Sequence, residues 1–190
     1  IGGGAVAVRS SAIGEDSADA SFAGQYETIL NVEGDDELVK AIEHCLHSIQ
    51  SVHAAAYKND KKSGEAVEMA VVVQEMVPAT VAGVLFTADP VTNSRQQIVI
   101  DAVSGLGEKL VSGEATPDHY VLDRSGKLLE QDLCGSKPLL TDKQIQKLLK
   151  DALNAEEQMG FPLDMEWAID SDGDLYWLQA RPITTLGADL

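Results

Sequence analysis

Four residues near the end of the chain have the types and spacing that metal–phosphate chemistry requires: Asp164, Glu166, Gln179 and Arg181. They lie in two half-apolar runs on either side of Asp172-Gly173, a turn signal, so Leu163 to Pro182 is expected to form a β-hairpin. A two-residue turn pairs Ser171 with Asp174, and a four-residue loop pairs Asp170 with Leu175. Either choice sets Glu166 opposite Gln179 and Asp164 opposite Arg181. Directly opposed residues share a face, with Cβ atoms about 5 Å apart. On this register Met165, Trp167, Ile169, Tyr176, Leu178 and Ala180 make an apolar face, and the four polar residues make the other. A carboxylate beside an amide oxygen suits a hard cation such as Mg2+. A neighbouring Arg suits phosphate oxygens that the same metal bridges. Taken alone, these residues also fit a solvated face with an Asp164–Arg181 cross-strand pair. Asp170, Asp172 and Asp174 do not make a calcium loop, because the later Gly and terminal Glu of an EF-hand are missing.

A second candidate lies near the start. Val6-Ala-Val-Arg-Ser-Ser-Ala12 ends a strand-like run with Arg9 and two hydroxyls, and Phe22-Ala-Gly-Gln-Tyr-Glu-Thr28 follows an acidic stretch. Small residues let backbone N–H groups approach phosphate oxygens, Arg9 supplies a fixed charge, and Gly24 and Thr28 add backbone and hydroxyl donors. The segment matches no Walker pattern, and Gly105-Leu-Gly107 fails the dinucleotide fingerprint because Leu110 stands where the third glycine is needed.

Composition narrows the partners. The 190 residues carry 14 Lys plus Arg against 31 Asp plus Glu, a net charge of -17. Such a surface repels nucleic acids and anionic membranes, so neither is an expected partner. It also disfavours a nucleotide unless cations are focused at one place. The arginines are Arg9, Arg95, Arg124 and Arg181. Cys45 and Cys134 lie far apart and suggest neither a disulfide framework nor a zinc site, which favours a reduced, cytoplasmic setting.

The positioning elements follow from periodicity. Strands are expected at Ala5–Ser10, Tyr26–Val32, Met69–Met76, Val81–Thr87 and Gln97–Val103, with a bend at Pro78. Leu38, Ile42, Cys45, Ile49, Val52 and Ala56 form one stripe of a helix that Asp35 or Asp36 opens and that ends near Tyr57. Gly105–Pro117 reads as loop, and His119–Asp123 with Leu128–Asp132 as a hairpin around Ser125-Gly126. Thr141 with Gln144 makes a capping box for a second helix lined by Ile145, Leu148, Ala152 and Ala155. Many strands and two separated helices predict an α+β fold with a largely antiparallel sheet. His44, His47, His53 and His119 read as structural or surface residues.

Four stretches, in order, resemble one family: VAVRSSAIGEDSADASFAGQYETILNV, VVVQEMVPATVAGVLFTADPVT, GLGEKLVSGEATPDHYVLDR and DMEWAIDSDGDLYWLQARPIT. They are similar to the nucleotide-binding region of phosphoenolpyruvate synthases, pyruvate phosphate dikinases and rifampin phosphotransferases. The resemblance implies an ATP-grasp fold, with residues 1–190 as its second lobe. The first lobe with its glycine-rich Lys segment, the phosphohistidine domain and the acceptor domain would lie outside this chain. It implies ATP and Mg2+ as ligands, with the ATP β-phosphate passing to a histidine carrier and on to pyruvate. A rifampin phosphotransferase-like kinase and a non-catalytic nucleotide-binding module are the alternatives. By resemblance, Arg9 contacts ATP phosphates, Gly24 and Thr28 belong to the phosphate-covering loop, and Gln74 with the backbone through Val77 borders adenine. Glu166 and Gln179 hold Mg2+ and phosphate oxygens, and Arg181 steadies the transferring phosphates. Arg9 and Arg181 are the expected catalytic residues.

Overall fold

A computed structural model of the chain describes residues 3–12, 27–59, 69–183 and 186. The fold divides into two compact units, Ile1–Met76 and Val77–Leu190.

The first unit holds β1 (Val6–Ala12), β2 (Thr28–Val32), α1 (Asp35–Asn59) and β3 (Met69–Glu75), its strands forming an antiparallel sheet in the order β2-β1-β3. Helix α1 opens on Asp35, Asp36 and Glu37, where negative charge opposes the helix dipole favourably. Ala41 and Cys45 pack on Val6, Val8 and Val32, with Leu38 and Ile42 alongside. The predicted stripe therefore faces the sheet over its first turns; the side chains of Ile49, Val52 and Ala56 lie outside those described. Burial and the nearby Glu27 carboxylate push the Cys45 thiol up, so this cysteine is a packing residue rather than a nucleophile. Because Val6 and Val8 face α1, strand alternation turns Ala7 and Arg9 to the opposite face.

The second unit is built on β4 (Ala79–Phe86), β5 (Gln97–Ser104), β6 (Asp118–Asp123), β7 (Leu128–Asp132), β8 (Leu163–Asp170) and β9 (Leu175–Pro182). They form one sheet, entirely antiparallel, in the order β7-β6-β5-β4-β8-β9. The segment read as loop before β6 contains a single helical turn, α2 (Glu108–Val111). Helix α3 (Asp142–Met159) starts with the expected capping box: Gln144 N donates to Thr141 Oγ1 at 3.3 Å, and Thr141 N donates to Gln144 Oε1 at 2.9 Å. It ends at Gly160, whose φ of 82° is the left-handed turn that glycine permits. Ile145, Leu148, Leu149 and Ala152 of α3 pack on Leu85, Ile98, Ile100, Tyr120, Leu122, Met165 and Trp167. The expected α+β architecture with antiparallel sheets is thus the observed one.

The core rests on two tight features. Trp167 is fully buried and lies against Gly83, where a Cβ would stand 2.8 Å from its ring and 1.9 Å from the Asp101 carbonyl oxygen. Asp118, also fully buried, accepts from Cys134 N at 2.9 Å, Leu139 N at 2.8 Å and the Tyr120 hydroxyl at 3.1 Å, which ties the connection before α3 to β6. Burial alone would raise the Asp118 pKa, but these donors outweigh it and hold the carboxyl below its ordinary value. Burial, followed by the charge of Asp118, pushes the Tyr120 hydroxyl up to about 12.

Two outcomes are expected. Gly83→Ala should cost about 3 kcal/mol or more by overpacking, seen as a lowered urea midpoint. Asp118 has a depressed folded-state pKa, so its contribution is complete above the unfolded value near 3.9 and is lost as pH falls through the folded one. Asp118→Asn should cost about 1–3 kcal/mol at neutral pH and flatten the dependence of stability on pH below about 4 in acid titration.

Candidate functional site

Strands β8 and β9 bring the four polar residues together as their spacing predicted. Glu166 is opposite Gln179, and Asp164 is opposite Arg181, whose Nε donates to Asp164 Oδ2 at 2.9 Å. Asp164 is 15% exposed at its side chain and Arg181 42%, so the pair contributes little to stability and serves mainly to orient the guanidinium.

The route to that register differs from both expected turns. Gly173 N donates to Asp170 O at 3.1 Å and Asp170 N donates to Asp174 O at 3.2 Å, leaving a three-residue loop with Gly173 at φ 85°. The Asp170 carboxylate accepts from Asp172 N at 2.9 Å and Asp174 N at 3.0 Å, so it builds the turn. This loop sets Ile169 opposite Leu175 and Trp167 opposite Trp177, one residue away from the expected pairs. A bulge at Leu178 then restores the offset, and Glu166 meets Gln179. The apolar face is corrected accordingly. Leu175 and Trp177 pack on the core, while Tyr176 is 41% exposed and donates its hydroxyl to Asp170 Oδ2 at 3.1 Å. Ala180, opposite Met165, is exposed.

Another set of candidates shares a face in the first unit. Arg9 on β1 lies opposite Thr28 on β2, and Ala7, two residues before Arg9, lies opposite Gln74 on β3. Thr28, Arg9 and Gln74 therefore project from the sheet face away from α1. Arg9 Nη2 donates to Gln74 Oε1 at 2.5 Å. The Gln74 side chain thus holds the Arg9 guanidinium, a contact that the expected adenine-bordering role did not include. Gly24 lies outside the described residues. Glu166, Gln179, Asp164 and Arg181 form one group in the second unit, and Arg9, Thr28 and Gln74 another in the first.

The donor set on the hairpin fits a hard divalent cation. Glu166 and Gln179 place a carboxylate and an amide oxygen side by side on a partly buried face. Among the described residues no group of three or more His, Cys, Asp or Glu is arranged to hold a metal. Mg2+ keeps several waters or phosphate oxygens beside one or two protein ligands. Arg124 does not belong to this chemistry. Its Nη1 donates to the carbonyls of Thr87 (3.2 Å) and Arg95 (3.1 Å), and its Nη2 to Glu156 Oε1 at 2.8 Å, so it staples β6 to α3.

The family model described as pyruvate phosphate dikinase, AMP/ATP-binding domain, matches residues 3–139 and 132–189. The chain belongs to this family. It is therefore an AMP/ATP-binding domain of the pyruvate phosphate dikinase type. It is 42% identical to a probable phosphoenolpyruvate synthase of Archaeoglobus fulgidus, over 95% of this chain and 27% of the relative. It is 38% identical to the phosphoenolpyruvate synthase of Pyrococcus furiosus, over 95% of this chain and 26% of that protein. With the prodigiosin synthesizing transferase PigC of Serratia marcescens it shares 41% identity, over 96% of this chain and 23% of PigC. The chain spans about a quarter of the length of these curated relatives. No helix among the described residues is long and apolar enough to cross a membrane.

One polar pair in this ATP-binding domain escaped the sequence reading. His119 Nδ1 lies 2.6 Å from Asp101 Oδ1, across paired strands and on the sheet face that carries Glu166. The available signal was Asp101 itself, a charge interrupting the apolar run from Ile98 to Val103.

If Gln74 holds Arg9 for phosphate binding, Gln74→Leu in the full-length protein should raise KM for ATP about tenfold with the melting temperature unchanged. An unaltered KM would separate Gln74 from the site.

Proposed function

We propose that this chain holds Mg2+–ATP for a dikinase that moves the ATP β-phosphate to a histidine on another domain of the same protein and then to pyruvate, giving phosphoenolpyruvate, with AMP released and the γ-phosphate passing to water or to inorganic phosphate. The reading is carried by the hairpin face on which Glu166 meets Gln179 and Asp164 orients Arg181. It is supported by the family match and by relatives named as phosphoenolpyruvate synthases.

In this reading the Glu166 carboxylate and the Gln179 amide oxygen hold the metal together with phosphate oxygens. When bound, Mg2+ supplies charge neutralisation on the phosphates. Arg181, held by Asp164, donates N–H groups to the transferring phosphate oxygens in a fixed orientation. Arg9, held by Gln74, is a further N–H donor for ATP phosphates. Gly24 and Thr28 give backbone and hydroxyl donors to the phosphates, and the backbone from Gln74 to Val77 borders adenine. Phosphoryl transfer needs little covalent help from the protein, so positioning and preorganised charge supply most of the catalysis.

A second reading changes only the acceptor. A relative of similar identity is named as a prodigiosin synthesizing transferase, and another, 35% identical, as an uncharacterized phosphotransferase, so the same nucleotide-binding part accompanies proteins not named for pyruvate chemistry. An antibiotic or other small acceptor would leave every role above intact.

Glu166→Ala in the full-length protein should lower ATP-dependent AMP formation at least about a hundredfold and leave the circular dichroism spectrum and melting temperature as in wild type. Retained turnover would remove Glu166 from the mechanism and, with it, the metal-binding role of the hairpin.

A further inference from the structure

The strand register lines up a continuous row across the second unit's sheet. Gln179 on β9 faces Glu166 on β8, which faces Val84 on β4, then Asp101 on β5, His119 on β6 and Asp132 on β7. All project from the side opposite α3. The neighbouring positions on this face are apolar and mostly dry: Val99 is 5% exposed and Val121 6% on one side, Ala82 2% and Val103 2% on the other. A polar stripe between buried apolar rows is how binding sites place a few directed polar groups on an apolar wall.

Within the stripe, His119 is held in a defined way. Its Nδ1 lies 2.6 Å from Asp101 Oδ1, and its side chain is 36% exposed against 22% for Asp101. A carboxylate on Nδ1 fixes the ring so that Nδ1 carries hydrogen and Nε2 points away. Among the described residues the hydrogen bond to the ring is at Nδ1, and Asp89 lies close enough to interact with the ring by charge. In a chain of net charge -17, His119 is the one cation-forming side chain of the row.

We propose that His119, oriented by Asp101, is an oxyanion contact at the far end of the row from Glu166 and Gln179, and that it binds a phosphate group. The inference rests on the preceding reading of the hairpin as the metal–phosphate site. Three strand spacings separate the Glu166 and His119 backbones, about 14 Å. Glu166 and His119 share one sheet face with Val84 and Asp101 between them, a span that a phosphate chain could bridge, held by metal at one end and by a ring Nε2–H at the other. Two carboxylates near the ring are engaged by donors of their own: Asp101 by His119 Nδ1, and Asp89 by Val91 N, Thr92 N and the Thr92 hydroxyl. The flanking Asp132 on β7 is exposed, where solvent screens it. The phosphate could belong to the nucleotide tail or be free inorganic phosphate, and the chemistry at Nε2 is the same.

The test is calorimetric titration of the full-length protein and its His119→Gln, Asp101→Asn and double variants with Mg–ATP, AMP and inorganic phosphate. If the nucleotide tail is the ligand, His119→Gln weakens Mg–ATP about tenfold and leaves AMP unchanged. If free phosphate is the ligand, phosphate weakens about tenfold while Mg–ATP and AMP hold their affinities. In either case Asp101→Asn gives a smaller loss that disappears in the His119→Gln background, the pattern of a positioning residue. Unchanged Mg–ATP and phosphate affinities in His119→Gln overturn the proposal, as does an equal loss for AMP. Glu166→Ala is the parallel control. If it weakens Mg–ATP while His119→Gln does not, only this inference fails. If wild-type protein binds no Mg–ATP, the hairpin reading fails and takes this inference with it.

Discussion

The polar chemistry of the second unit depends on the seating of Trp167 against Gly83. Strand β8 alternates strictly: Leu163, Met165, Trp167 and Ile169 go into the core, so Asp164 and Glu166 must emerge on the other side. A slip of one residue would expose the tryptophan and bury two carboxylates, a cost far above the stability of most domains. Gly83 makes the seating possible because any side chain there would collide with the indole and with the Asp101 carbonyl. The face on which Glu166 emerges is therefore set by packing on the opposite side of the sheet.

Charge is managed by placement. With 31 acidic and 14 basic residues, the chain has few cations, and the structure spends them selectively. Arg124 is committed to carbonyls and to Glu156, a structural duty. Arg9 donates to the Gln74 side-chain oxygen and Arg181 to the Asp164 carboxylate. A guanidinium fixed in this way loses less conformational entropy when an anion arrives. An acidic exterior with locally fixed cations disfavours nucleic acids and membranes while leaving a small metal-bound anion acceptable.

Much of this was legible in the residues. The capping box at Thr141 and Gln144 is a local hydrogen-bond pattern that needs no tertiary information, and it is present as read. The strands carrying Arg9, Gln74, Glu166 and Gln179 were visible as alternating or β-branched runs. What stayed hidden depends on contacts distant in sequence. The junction between the units falls at Met76 and Val77, inside a short apolar link that no composition shift marks. The hairpin register came out right at Glu166 although its turn was misjudged, because two one-residue offsets cancel: the three-residue loop shifts the pairing and the bulge at Leu178 shifts it back. A fixed period of two could not represent that change of phase, so Tyr176 was assigned to the core in place of Leu175 and Trp177. His119 reads from sequence as a structural or surface residue, because a histidine at a strand start is uninformative until the register places Asp101 beside it.

The bulge has a further consequence at the sheet boundary. Strand β9 is the last of the described strands in its sheet, and outer backbone N–H and C=O groups of such a strand are where another chain could pair. In a regular strand those groups form an even row onto which another chain could add. The extra residue at 178 breaks the spacing of that row and increases the local twist, while Pro182 removes one donor near its end. The same irregularity that lets β9 face the core with Trp177 and the polar side with Gln179 also makes its outer edge, among the described residues, an uneven template for strand pairing.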